Sequence, residues 1–318
     1  MKLGARLFGP SKPVHVEGQG TRVTLEDLIA SRHQASARRV PPRRGLTGFP
    51  GGLSTRRRGQ GLEFDDLRLY VEGDDVRHID WNVTARTGQA HLRLYRQERE
   101  RSVTVAVDLR PAMFSGTQSL RAVSACRMAA ALIWHAADLG DRCGAFVFDG
   151  SGHDATRPVS GDPGALRACA LIAERFTGAR QDAADETKSS ALAPVLARIA
   201  SGRREAGLVV LVTGLDLPGE AWAVHLKEAG LRGRLVTIWV RDPMETDGLP
   251  PGTYDFRATD GQRQRVSLRK ETAASLRDLL TARDERIRRD FRNAGVPLLE
   301  TGPVGASPDI GPAHILGA

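Results

Sequence analysis

Three continuous apolar runs constrain the fold of this chain most: Val103-Thr104-Val105-Ala106-Val107, Leu208-Val209-Val210-Leu211-Val212 and Leu235-Val236-Thr237-Ile238-Trp239-Val240. A strand that is apolar on both faces must be covered on both faces, which is the condition of a parallel sheet held between two helical layers. Helical patterns at residues 119–139, 163–176, 192–200, 218–229 and 271–293 separate these runs, and residues 142–148 read as a further strand. The expectation is an α/β fold with a mostly parallel central sheet and helices on both faces. Residues 254–256 and 265–268 suggest a hairpin turning at Thr259-Asp260-Gly261, and residues 296–299 a final edge strand. The first apolar run ends on Asp108. Ligands of such sheets sit beyond the carboxyl ends of the strands, where Asp108 and the segment after Val212 would lie.

Upstream of the sheet the pattern changes. Residues 25–32 read as a short helix, and Ser31 to Arg58 then carries eight arginines (32, 38, 39, 43, 44, 56, 57, 58) and no acid. That segment accounts for the whole net charge of +8, leaving 38 basic against 38 acidic residues elsewhere. A neutral body with one basic arm differs from a basic groove, and the arm has only Phe49 for base stacking, so nucleic acid is not the expected partner. The expected organisation is a helix and Arg/Pro/Gly-rich arm over residues 1–60, and an elaboration with extra strands over 61–101. The main domain is expected over 102–301, with a flexible tail over 302–318. No apolar run is long enough to span a membrane and the first twenty residues lack an apolar stretch, so a cytoplasmic protein is expected. Three scattered cysteines, Cys126, Cys143 and Cys169, show no metal-ligand spacing and fit reduced, buried thiols.

The densest chemistry lies in Gly73-Asp74-Asp75-Val76-Arg77-His78-Ile79-Asp80-Trp81 with Ala85-Arg86. Gly73 can supply a positive φ, and Asp74 or Asp75 can cap the following turn. Arg77 and Arg86 have carboxylates within reach, with Asp80 a natural partner and Trp81 an apolar lid. One reading is a metal-dependent hydrolase using Asp74, Asp75, His78 and Asp80. The other is a buried ion-pair knot, favoured because each acid has a basic neighbour and chemistry would need free acids.

The run Arg58-Gly59-Gln60-Gly61-Leu62-Glu63-Phe64, then Arg68-Leu69-Tyr70, then this Gly-Asp-Asp block with Ala85-Arg86, resembles the signature of the domain-of-unknown-function 58 family. Asp242-Pro243-Met244-Glu245, Leu249-Pro250 and Asp260-Gly261 resemble its later landmarks, so the likeness spans roughly residues 40–301. It implies a von Willebrand factor A-like domain with an N-terminal elaboration, acting as an adaptor or assembly partner of a MoxR-type AAA ATPase. It implies no catalytic activity. Domains of that kind often carry a metal-ion-dependent adhesion site, Asp-x-Ser-x-Ser after the first strand with a threonine and a second aspartate from later loops, giving a divalent ion hard oxygen ligands. Here Asp108 remains, Arg110 and Ala112 stand at the serine positions, and Thr213-Gly214 puts glycine where the second acid belongs. An arginine there repels a cation or satisfies Asp108 itself, so a degenerate site without metal is expected.

Other candidates fall short. Lys188-Ser189 lacks a preceding phosphate-loop glycine pattern, and Ser151 between Gly150 and Gly152 lacks the full nucleophile-elbow spacing. His153 with Asp149 and Asp154 reads as a solvated loop, and His135 as a packed helix residue. Asp284 and Arg288, spaced i, i+4, read as a solvated helix face. No catalytic set and no cofactor motif emerge. The expected function is a non-catalytic adaptor, with the hydrolase and arm-mediated nucleic-acid binding as the alternatives.

Overall fold

The computed structural model describes residues 20–37, 63–71, 74–96, 102–183, 190–201, 207–231, 235–257 and 263–302. The arginine arm beyond residue 37, Gly73, the His78 side chain, Lys188-Ser189, the 259–261 turn and the tail after residue 302 lie outside that description. Two units divide the chain, a smaller one over residues 47–100 and a larger one formed by the rest.

Helix α1 (Leu25–Ala37) opens the larger unit. Thr24 and Asp27 exchange backbone and side-chain hydrogen bonds at its start, a local cap that satisfies otherwise orphan amides. The smaller unit pairs β1 (Glu63–Leu69) with β2 (His91–Arg96) antiparallel, Leu69 opposite His91, and places α2 (Trp81–Thr87) between them in sequence.

The larger unit continues with β3 (Ser102–Asp108), α3 (Arg121–Asp138), β4 (Arg142–Phe148), the short strands β5 (His153–Ala155) and β6 (Val159–Ser160), and α4 (Gly161–Asp182). Then come α5 (Ala193–Ser201), β7 (Leu208–Thr213), α6 (Trp222–Leu231), β8 (Leu235–Val240) and α7 (Pro243–Thr246). A hairpin of β9 (Gly252–Arg257) and β10 (Arg263–Leu268), the long α8 (Lys270–Ala294) and β11 (Leu298–Thr301) complete it. The sheet order is β11-β8-β7-β3-β4-β5, with β6 also on β4. β11, β8, β7, β3 and β4 run parallel, and β5 and β6 are antiparallel to β4.

This is the mostly parallel α/β architecture expected from the apolar runs, and it fits the von Willebrand A-like fold that the resemblance implies. Val103, Val105 and Val107 of β3 join Val210, Val212, Ile238 and Val240 under α1, α3 and α4. Ala106, Leu211 and Trp239 turn the opposite way, under α5, α6 and α8. A period of two thus feeds two separate cores from one strand. Trp134 anchors α1 by donating its Nε1–H to the Leu28 carbonyl at 3.0 Å.

Some boundaries differ from the sequence expectation. The helix expected over 163–176 runs on to Asp182, because Ala179 continues its buried stripe. The helix expected from residue 218 begins at Trp222, because Leu215, Leu217 and Ala221 adopt left-handed backbone, with φ of 56°, 43° and 58°. The short β5 and β6 carry too little pattern to be read from sequence.

Candidate functional site

β3 delivers Asp108 to the carboxyl edge of the sheet, fully buried. Two residues later, Arg110 has extended backbone ahead of the 3-10 turn Pro111–Phe114, which folds its side chain back over Asp108. Arg110 Nε donates to Asp108 Oδ1 at 2.9 Å, Nη2 to Oδ2 at 2.7 Å, and the Arg110 amide to Oδ1 at 3.0 Å. Thr213, at the end of β7, donates its hydroxyl to Oδ2 at 2.6 Å. Two donors on each oxygen fill the acceptor positions of the carboxylate, so no lone pair is left for a divalent ion.

The guanidinium is used as fully. Nη1 donates to the Ser190 carbonyl at 2.8 Å, and Nη2 to the Asp216 carbonyl at 3.0 Å. Burial disfavours the Arg110 charge, but the charge and hydrogen bonds of Asp108 outweigh it, and its pKa stands above the ordinary arginine value. Arg110 therefore pins the left-handed loop after β7 to the end of β3.

A side chain at Gly214 would require its neighbours to move. A Cβ on it would lie 2.6 Å from Asp216 Oδ2, 2.7 Å from Arg121 Nη1 and 2.9 Å from Met113 Sδ. Ala112 contributes its carbonyl, which accepts from Arg121 Nη2 at 2.6 Å.

Around this centre runs an ion-pair chain that sequence reading missed. Arg121, on α3, meets Asp216 at 3.0 Å and Glu245 at 3.3 Å. Arg283 on α8 reaches Glu245 and Asp284, each at 3.2 Å. Arg241 pairs with Asp284 and, at 3.0 Å, with Glu300, which also takes Arg288 at 2.7 Å. The buried Trp239 ring lies 4.6 Å from the Arg241 guanidinium and 5.6 Å from that of Arg288. Asp284 and Arg288 are thus not a solvated pair: Asp284 is 4% exposed, because α8 turns it toward Arg241 beyond β8. Asp242 accepts from Thr117 N at 2.7 Å and Thr117 Oγ1 at 2.9 Å while capping α7, so the loops after β3 and β8 are tied together. Burial pushes the Asp216 pKa above the ordinary carboxylate value despite Arg121. The Asp242-Pro243-Met244-Glu245 run and the Asp284/Arg288 spacing are the sequence features that belong to this network.

The signature block behaves differently from its sequence reading. Asp74 pairs with Arg68 at 2.6 Å and accepts from the Val71 amide at 3.0 Å. Asp75 accepts from the Arg77 amide at 3.0 Å, and Asp80 caps α2 through the Asn82 and Val83 amides. Arg86 directs Nε to the Asn82 carbonyl, not to Asp80, and Arg77 is exposed. Trp81 is 67% exposed and so is no buried lid. Of the expected buried knot, the described residues show one part-buried ion pair, Asp74–Arg68, and a series of caps. Three tight turns in succession leave orphan amides, and the nearest carboxylates satisfy them. Elsewhere, Asp149 accepts from Ser151 and pairs with Arg175 at 2.6 Å, and Asp154 meets Arg175 at 3.1 Å. Among the described residues no group of three or more His, Cys, Asp or Glu side chains is placed to hold a metal ion, and no helix is long and apolar enough to cross a membrane.

The chain is similar to uncharacterised proteins of Mycobacterium bovis and of two Mycobacterium tuberculosis strains, each 27% identical over 246 residues that cover 76% of this chain and 74% of the relative. Residues 66–295, from the β1 strand through the end of α8, match the family described as protein of unknown function DUF58. The chain belongs to the DUF58 family.

Proposed function

We propose that this protein is a non-catalytic protein-binding domain, an adaptor or assembly factor, whose adhesion-type site is built around an internal guanidinium in place of a metal ion. One observation carries the reading: both oxygens of Asp108 are saturated by Arg110 and Thr213. A site used this way has no open coordination position and no free general base. It offers a rigid, cation-centred platform formed by the loops after β3 and β7. The family resemblance supplies the class of partner, a MoxR-type AAA ATPase.

The hydrolase alternative loses support because Asp74, Asp75 and Asp80 each accept from backbone amides. The test has two parts. Titration of the full chain with Mg²⁺, Mn²⁺ and a chelator is expected to leave the melting temperature unchanged, since a ligand that binds only the native state would raise it. Calorimetry against the ATPase is expected to show saturable, metal-independent association. A melting temperature that rises with Mg²⁺, or no association at any salt concentration, overturns the reading.

A further inference from the structure

Next to the Arg110 centre the loops after β3 and β7 and the middle of α8 border an open groove of ≈ 470 Å³, within the size range of ligand-binding clefts. Pro111, Ala112, Leu217, Pro218 and Ile287 give it apolar walls, and Arg286 stands at its edge. Three features separate it from an incidental hollow. Leu217 is 54% exposed although its φ of 43° is a conformation that costs a branched residue free energy. That conformation is held from behind, with the Leu217 carbonyl accepting from the Leu192 amide at 3.0 Å and the Asp216 carbonyl from Arg110. The chain thus stores strain to keep a leucine in solvent at the rim of a groove. Arg286, also exposed, has no ion-pair partner among the described residues, whereas its neighbour Arg283 is held by Glu245 and Asp284. The carboxylate in the wall, Asp216, is compensated by Arg121 at 3.0 Å, so the unmatched charge of the groove is positive.

We infer that this groove binds an acidic peptide segment of a protein partner, an apolar side chain packing on Leu217 and Pro218 while an adjacent carboxylate pairs with Arg286. The inference rests on the protein-binding reading above and names the surface and the chemistry it would use. A guanidinium at an apolar edge suits a carboxylate because the two pair through parallel hydrogen bonds, and partial desolvation by the leucine wall strengthens them.

The test is fluorescence anisotropy of the full chain with a fluorescein-labelled peptide of alternating leucine and glutamate. The controls replace glutamate by glutamine or by lysine. Saturable binding is expected for the glutamate peptide, weaker by about tenfold for the Arg286→Glu variant and largely kept in Arg286→Lys. Leu217→Asp is expected to weaken it comparably, and neither Arg286→Glu nor Leu217→Asp should melt below the wild type because neither side chain is buried. Equal affinity for the glutamine or lysine peptide, or for the Arg286→Glu variant, overturns the inference, as does no binding by the wild type. Arg286-dependent competition by a single-stranded oligonucleotide that outmatches the peptide also overturns it, assigning the surface to nucleic acid. If the ATPase binds Arg286→Glu as tightly as wild type, the groove assignment falls while the adaptor reading stands. If the ATPase binds neither chain, the adaptor reading falls and the peptide titration alone decides the groove.

Discussion

The Arg110 guanidinium lies along the Asp108 carboxylate through bonds of 2.9 and 2.7 Å, with Arg110 2% exposed and Asp108 not at all. Two residues apart in sequence, they form a closed unit at the point where a parallel sheet ordinarily exposes its ligand site. The same guanidinium reaches the carbonyls of Ser190 and Asp216, so one side chain joins three loops.

Removing one member of this pair leaves a buried, uncompensated charge. Arg110→Met is expected to cost about 3–5 kcal/mol of stability, and the double variant Asp108→Asn/Arg110→Met to recover a substantial part of that loss. Urea unfolding of the four chains measures it. A loss below about 1 kcal/mol, the range of an exposed pair, would show that the bridge is solvated.

Leu217 bears strain that glycine would not. Leu217→Gly is expected to raise stability by about 0.5–1 kcal/mol, the left-handed penalty relieved less the added freedom of the unfolded chain. Peptide binding should fall in the same variant, because the exposed apolar side chain is gone. Opposite signs in the two measurements are the expected signature of a strained contact residue.

Glu300 sets a pH dependence. Its hydrogen bonds to Arg288 hold its pKa below the ordinary 4.5, against a smaller opposing effect of burial. A depressed carboxylate stabilises the fold above its unfolded pKa and loses that contribution as pH falls through the folded value. The stability gap between wild type and Glu300→Gln should therefore be constant near neutrality and close progressively below pH 4.5. Asp216 works in the opposite sense, its pKa raised chiefly by burial, which is why the gap between the two chains is the quantity to follow. A gap that widens on acidification would show that Glu300 is not held as an anion.

The thiols give a simple readout of packing. Cys126, Cys143 and Cys169 are all buried, and burial pushes Cys143 up to about 11 and Cys169 to about 12. Each is protonated at neutral pH and shielded, so a thiol reagent is expected to label none in the native chain and three in denaturant. Fast labelling of any one without denaturant would reveal local opening of the α3–α4 core.

Local chemistry was legible in the sequence to a useful extent. The β-branched run ending on Asp108 fixed a buried parallel strand and its exit, and the Asp108–Arg110 bridge could be expected because its partners are two residues apart. The strands at 142–148 and 235–240 matched their expected bounds, since a run apolar on both faces has few alternatives to a central position. In the signature block, charge adjacency alone does not say which acid pairs and which caps: Asp74 meets Arg68, while Asp75 and Asp80 cap turns. A carboxylate beside a turn meets orphan amides first, as Asp75 and Asp80 do, and Trp81 stays exposed.

What the sequence by itself determined, then, is the layered α/β class, the position of the strand ends and the internal cation on Asp108, all consequences of short-range pattern. Only the tertiary structure decided that Asp284, 43 positions from Arg241, is buried against it, that Arg121 joins Asp216 and Glu245, and that Leu217 and Arg286 face one groove. Those relationships depend on the order in which strands lie side by side, and strand order is set by packing across the whole sheet, which no window of neighbouring residues contains.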